Sequence, residues 1–161
     1  MDNKVNTNRI AEKAGVPCVP YILSNVKSYD HLNLLTKNKL GTDLVIQTPF
    51  GDSGHTTFFI SNEEEWNKYA DEIVKEKEVK VMKRINCKGS AIEACVTQHG
   101  TIVAPLMTEL VGFKELTPYK GGWCGNEIFA EAFTPTIRKQ ARQYTQKFGN
   151  QLRKGRLQRI F

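Results

Sequence analysis

A short polar loop, Gln47-Thr48-Pro49-Phe50-Gly51-Asp52-Ser53-Gly54-His55-Thr56-Thr57, gathers groups that could meet an anion. Successive backbone N–H groups in a glycine-rich turn form an anion-binding concavity, and the hydroxyls of Ser53, Thr56 and Thr57 add donors. Spacing excludes two familiar phosphate loops. No Gly-Lys-Ser or Gly-Lys-Thr follows, and a strand comes next rather than the helix that a Walker loop or a dinucleotide fingerprint requires. On composition alone an ordinary hairpin turn explains the glycines. What it leaves unexplained is the cluster Ser53, His55, Thr56 and Thr57.

Three further positions carry chemistry. Lys83-Arg84-Ile85 ends a strand, where backbone N–H and C=O groups can read a purine edge over an apolar side chain. A solvated basic pair is the ordinary alternative. Glu93 alternates with Ile92 and Ala94 and could orient a ribose, a metal or a lysine; the ordinary alternative is a solvent-facing strand carboxylate. Lys4 could reach a phosphate or stand exposed near the chain start. Cys18, Cys87, Cys95 and Cys124 form no CxxC pair, so free thiols are expected. His31, His55 and His99 lie too far apart for zinc spacing.

The elements that would position these residues read as follows. A helix over 7–14 carries Ile10, Ala11 and Ala14 and stops at Gly15. An extended run covers Cys18–Leu23. Ser28 caps a helix with Leu32, Leu34, Leu35 and Leu40, closed by Gly41. Strands follow at Leu44–Thr48 and Thr56–Ile60. Ser61 or Asn62 caps a third helix, with Glu63, Glu64 and Glu65 in its first turn and a stripe of Trp66, Tyr69, Ala70, Ile73 and Val74. Val79–Ile85 is a strand. Ala91–Thr97 and Thr101–Leu106 form a hairpin around Gln98-His99-Gly100. Residues 111–133 read as loop, and a last helix runs from Thr134 to about Leu152. Adjacent strand pairs predict an α+β fold with mainly antiparallel sheets, in two small lobes: 1–85, and 86–161 beyond the break at Asn86–Ser90.

The chain has 161 residues, 40% of them hydrophobic and 25% charged, enough to bury roughly 70% of its unfolded surface without a staple. No run approaches a membrane span, and Met1-Asp2-Asn3-Lys4 opens no signal segment, so a cytoplasmic protein is expected. The formal charge of +6 is unevenly placed. Residues 134–161 hold eight basic groups and no acidic ones, while the rest carries fifteen basic and seventeen acidic groups. Arg138, Lys139, Arg142 and Lys147 ride the polar side of the last helix without interleaved aromatic residues, so no nucleic-acid partner is expected.

The segments DNKVNTNRIAEKAGVPCVP, DLVIQTPFGDSGHTTFFI, EVKVMKRI and SAIEACVTQHGTIVAP, in that order, resemble the ATP-grasp superfamily, nearest its biotin-carboxylase-like and carbamoyl-phosphate-synthase-like branch. The resemblance covers roughly residues 2–150. It implies a nucleotide held between two α+β lobes with Mg²⁺, and ATP-dependent activation of a carboxylate as an acyl phosphate for attack by an amine or similar nucleophile. Carried over residue by residue, Lys4 matches a phosphate-contacting lysine and Gly51–Thr57 the loop that closes over the phosphates. Lys83, Arg84 and Ile85 match the hinge that reads adenine, and Glu93 an acidic residue on the next strand. Gln47 stands where the family carries a phosphate-binding lysine, and Met82 where it carries an acid. Gln47 can donate a hydrogen bond but brings no charge.

The resemblance also implies late strands bearing the carboxylates and asparagine that hold the metal, and the sequence offers no such pattern. The expectation is a C-terminally truncated ATP-binding fragment of a ligase, with an incomplete second lobe and inactive alone. A second polypeptide or a missing segment would complete it. A non-catalytic nucleotide-binding module is the alternative, and a nucleic-acid binder the weaker third. The tail Lys154-Gly155-Arg156-Leu157-Gln158-Arg159-Ile160-Phe161 fits a frameshift. One inserted base turns codons for Lys-Glu-Gly-Tyr-Lys-Gly-Tyr, as in family members, into Lys-Gly-Arg-Leu-Gln-Arg-Ile.

Overall fold

A computed structural model describes residues 3–51 and 54–157. The order is α1 (Lys4–Lys13), β1 (Tyr21–Ser24), α2 (Tyr29–Thr36), β2 (Leu44–Gln47), β3 (Thr57–Ile60), α3 (Glu63–Val74), β4 (Val79–Lys83), β5 (Ser90–Val96), β6 (Thr101–Val111), β7 (Trp123–Glu127) and α4 (Pro135–Leu157). Two sheets form, β1-β4-β2-β3 and β5-β6-β7, and every pairing in both is antiparallel. The α+β class expected from adjacent strand pairs is the class observed.

Strand alternation divides the first sheet into two faces with different work. Leu44, Ile46, Phe58, Ile60, Val79 and Val81 point one way and are buried. They meet Leu32 and Leu40 from α2 and its following turn, and Trp66 and Ile73 from α3, in one apolar cluster. The helices enter as their caps require. Ser28 Oγ accepts from His31 N–H at 3.1 Å. Asn62 Oδ1 accepts from Glu65 N–H at 2.9 Å, while the Glu65 carboxylate accepts from the N–H and hydroxyl of Ser61. The other face carries Val45, Gln47, Thr57, Phe59, Lys80 and Met82.

α1 begins three residues before the helix read from the sequence. Asn3 caps it by accepting from Asn6 N–H at 3.0 Å. Lys4 therefore belongs to the first helical turn. Arg9 ties α1 to the start of β4 through Glu78 at 2.8 Å.

The second sheet departs further from expectation. β6 runs eleven residues rather than ending at Leu106, and β7 lies inside the segment read as loop. β7 pairs Glu127, Asn126, Gly125 and Trp123 with Thr108 to Val111 of β6. α4 packs on β5 and β6. Its close approach uses Gly149, where a Cβ would overlap the Thr101 side chain, and Thr101 donates to Asn150 Oδ1 at 3.1 Å. Of the α4 stripe, Ala141, Tyr144, Phe148 and Leu152 are half-buried and Ile137 is exposed. α4 continues to Leu157; Gln158–Phe161, on which much of the tail reading falls, lie outside the described residues. Cys18, Cys87, Cys95 and Cys124 are unbridged. Among the described residues no helix is long and apolar enough to cross a membrane.

Candidate functional site

The glycine-rich loop is built between β2 and β3 and fastened to the start of α1. Lys4 N–H donates to the Pro49 carbonyl at 2.8 Å, which satisfies one of the donors a helix N-terminus leaves open. The Lys4 ammonium donates to the Gly51 carbonyl and, at 3.1 Å, to Thr56 Oγ1. Inside the loop Thr48 N–H meets the Thr56 carbonyl at 3.3 Å, and Thr57 N–H meets the Gly54 carbonyl at 3.2 Å. Gln47 Nε2 donates to Thr57 Oγ1 at 3.1 Å across the strand pair. Lys4, Gln47, Gly51, Thr56 and Thr57 thus form one connected polar cluster. Ser53 lies outside the described residues.

The far side of the loop rests on the turn between β6 and β7. The His55 ring lies 4.3 Å from the Tyr119 ring, centroid to centroid. Gly54 has φ +82°, and a Cβ there would stand 2.3 Å from the Gly121 carbonyl oxygen, so this contact needs glycine on both counts. A cavity of about 240 Å³ opens under the contact, lined by His55, Thr57, Phe59, Glu65, Tyr119 and Lys120 among others.

At the other end of the same sheet face lies the hinge. A cavity of about 550 Å³ is lined by Asp43, Val45, Phe59, Arg84, Ile85, Asn86 and Cys87. Two hinge donors are already spent: Lys83 N–H on the Pro20 carbonyl at 3.1 Å, and Arg84 N–H on the Asp43 carbonyl at 3.0 Å. Among the described residues Ile85 N–H makes no such backbone bond. Phe59 lines both cavities. Its ring has the Arg84 guanidinium at 5.4 Å and the Lys120 ammonium at 5.1 Å from its centroid.

Register sets the order along this face. Val45 pairs with Phe59 and Met82; Gln47 pairs with Thr57 and Lys80. The hinge end is therefore apolar with basic groups above it, and the loop end is polar and cationic. Such a face fits an elongated ligand with an apolar ring at one end and an anion at the other.

The structure brings together Lys4, Gln47, Gly51, Gly54, His55, Thr56 and Thr57 at the loop, and Lys83, Arg84 and Ile85 at the hinge. Glu93 is not with them. It sits exposed at the β5 bulge between Ile92 and Ala94, lining a shallow groove on the second sheet with Cys95 and Ile102. Lys80 was missed by sequence reasoning. Its residue is only 9% exposed, and its ammonium donates to Asn8 Oδ1 at 3.1 Å. Burial pushes its pKa below the ordinary lysine value; Lys4 adds to that shift and Cys18 opposes it. The available signal was its place between Val79 and Val81, which puts it on the face opposite the core. Among the described residues no group of three or more His, Cys, Asp or Glu side chains could hold a metal ion.

The chain is similar to solved structures of ATP-dependent ligases. One is a carboxyaminoimidazole ribonucleotide synthase from Aspergillus clavatus complexed with ATP (TM-score 0.75, 16% identity, 93% of this chain and 37% of that one). Another is the ADP complex of an N5-carboxyaminoimidazole ribonucleotide synthetase (TM-score 0.72, 18% identity, 94% and 38%). A third is D-alanyl-alanine synthetase A from Vibrio cholerae (TM-score 0.68, 12% identity, 91% and 45%). No protein-family model and no curated protein matches the sequence. The fold is thus the ATP-grasp fold, and the chain spans less than half the length of these structures.

Proposed function

We propose that this chain binds an adenine nucleotide along the open face of its first sheet, as the nucleotide-binding part of an ATP-grasp ligase. The carrying observation is the register that grades this face from Val45, Phe59 and Met82 at the hinge to Gln47 and Thr57 at the loop. Adenine lies against the apolar end, with Ile85 N–H donating to a ring nitrogen. The phosphates lie toward Gly51–Thr57 and Lys4. The lobe break at residues 86–90 is the line across which the site opens.

The chemistry such a site serves is transfer of the γ-phosphoryl group to a carboxylate, giving an acyl phosphate that an amine or similar nucleophile attacks. This chain's residues bind and orient the nucleotide for that step. In the biotin-carboxylase-like reading Mg²⁺ would screen the phosphates. Among the described residues no group of three or more His, Cys, Asp or Glu side chains forms a ready-made cage for it, so nucleotide phosphates would have to supply part of its shell. Non-catalytic nucleotide binding is the second reading, favoured by the uncharged Gln47 in the phosphate end. A cytoplasmic location belongs to the same proposal.

Calorimetric and NMR titration with ATP, ADP and GTP tests the reading. Adenine nucleotides are expected to shift residues 54–57 and 83–85 at millimolar concentration, with GTP weaker. Absence of shifts at both segments would refute it. The purified chain alone is expected to form no acyl phosphate from ATP and a carboxylate; turnover would refute that part.

A further inference from the structure

We infer that Lys80 supplies, from β4, the cationic phosphate contact that Gln47 on β2 cannot provide. This rests on the nucleotide reading above and adds to it a residue that the loop and hinge motifs do not contain.

Three observations carry it. First, Lys80 and Gln47 are register partners on neighbouring strands. Directly opposed residues share a face with Cβ atoms about 5 Å apart. A lysine's flexible four-carbon stem then brings its ammonium to the space that the side chain of residue 47 faces. Second, Lys80 is buried, yet among the described residues its ammonium hydrogen-bonds only to the neutral carboxamide of Asn8. Among the described residues no carboxylate pairs with it. A buried ammonium without a counter-charge is costly, and a purely structural position would be served better by an apolar side chain. Third, Asn8 lies one helical turn after Lys4, so α1 presents Lys4 and the Lys80 partner on the same side. Lys4 grips the loop through Gly51 and Thr56, and Gln47 grips it through Thr57. Lys4 and Lys80 therefore flank Gln47 where the phosphates are placed. The depressed Lys80 pKa fits an ammonium that lacks an anion.

The charge has moved one strand over. In the expected arrangement a lysine stands at position 47; here a glutamine stands there and the lysine stands across the ladder.

The test compares ATP with adenosine, which shares the base and lacks the phosphates. The full chain is titrated as wild type, Lys80→Met, Gln47→Lys and the Lys80→Met/Gln47→Lys double variant. A charged hydrogen bond to phosphate is worth about tenfold or more in affinity. Lys80→Met is expected to weaken ATP at least tenfold and leave adenosine unchanged. Gln47→Lys in the Lys80→Met background is expected to restore most of the loss. Equal ATP affinity in wild type and Lys80→Met would overturn the inference while leaving nucleotide binding intact. Equal loss for ATP and adenosine would show a structural role and also overturn it. Failure of wild type to bind ATP at all would remove the nucleotide reading and this inference with it. Should Lys80→Met not fold, the wild type decides: the Lys80 13Cε resonance shifts with ATP and not with adenosine, or the inference is wrong.

Discussion

Replacing Gly54 with alanine separates two costs that the structure superposes at one residue. The backbone there has φ +82°, a left-handed conformation that costs an L-residue about 1–2 kcal/mol. In addition the new Cβ would lie 2.3 Å from the Gly121 oxygen, 2.5 Å from its carbonyl carbon and 2.7 Å from Gly122 N. These are backbone atoms of a turn, so the loop must lift rather than the neighbour rotate. Lifting gives up the His55–Tyr119 ring contact, about 0.5–1.5 kcal/mol. Gly15 is the internal control. It ends α1 with φ +68° and has nothing within 4 Å of an added Cβ, so Gly15→Ala carries only the backbone cost of about 1–2 kcal/mol. Gly54→Ala should therefore exceed Gly15→Ala by about 0.5–1.5 kcal/mol, the ring-contact share. Urea unfolding followed by tryptophan fluorescence gives both values, and the His55 and Tyr119 ring resonances report lifting. Equal losses in the two variants, with those resonances unmoved in Gly54→Ala, would mean that the loop does not rest on the turn.

Asn62→Ala should lower stability by about 1 kcal/mol through loss of the α3 cap, read by thermal melting. Hydrogen bonds from the Ser61 hydroxyl and N–H hold Glu65 below the usual carboxylate pKa. Its contribution is thus full above the unfolded value and is lost as pH falls through the folded one; Ser61→Ala should flatten stability in that acidic window. Burial first, then Glu12 by hydrogen bond and charge, pushes Tyr21 up to about 12. The stability tied to its neutral form is full below the ordinary tyrosine value of 10 and is lost as pH rises toward 12, and Tyr21→Phe should remove the step near pH 12 from an absorbance titration. Ile73, with no exposed surface, should cost about 2–5 kcal/mol as alanine by urea unfolding, whereas exposed Leu34 on α2 should cost little.

The elements readable from sequence are those whose burial is one-sided. α3 carries its stripe and cap in plain view, and Trp66 and Ile73 are the buried members. β2 and β3 alternate because one face meets the helices, whereas in β4 Val79, Lys80 and Val81 are all buried. β7 had no such signal. It is an edge strand, with Trp123, Asn126 and Glu127 exposed, Gly125 at φ +137° and a bulge opposite Leu110. Its position is set by backbone pairing to β6, which side-chain periodicity does not record. The start of α1 was missed for a related reason: Val5 is its only fully buried residue, so the cap Asn3 and not an apolar stripe marks where it begins. At the candidate site, the loop was legible as a polar cluster between strands and residues 83–85 as a strand end. Lys80 was not, because its meaning depends on which strand lies beside β4. That neighbour, β2, is separated from it in sequence by β3 and α3.

Charge at the site follows from placement rather than from total. The chain's positive excess lies in residues 134–161, and Arg138, Lys139, Arg142 and Lys147 all stand exposed on α4. The remainder has more acidic than basic groups, yet Lys4, Lys80, Arg84 and Lys120 converge on the open face of the first sheet or its rim. They come from three parts of the fold: Lys4 from the first turn of α1, Lys80 and Arg84 from β4 and its end, and Lys120 from the β6–β7 turn. Lys80 and Arg84 lie close in sequence, with Lys83 between them, but Lys4 and Lys120 join them only once both sheets are assembled. Long-range attraction between exposed charges fades beyond about 8–10 Å at physiological salt, so the helix charges act locally on α4 while the cleft cations act within the cleft. Added salt should therefore weaken contacts made by the exposed α4 residues more than a contact made by buried Lys80. This difference in screening, rather than the net charge of +6, would distinguish the proposed anion site on the sheet from a merely basic surface.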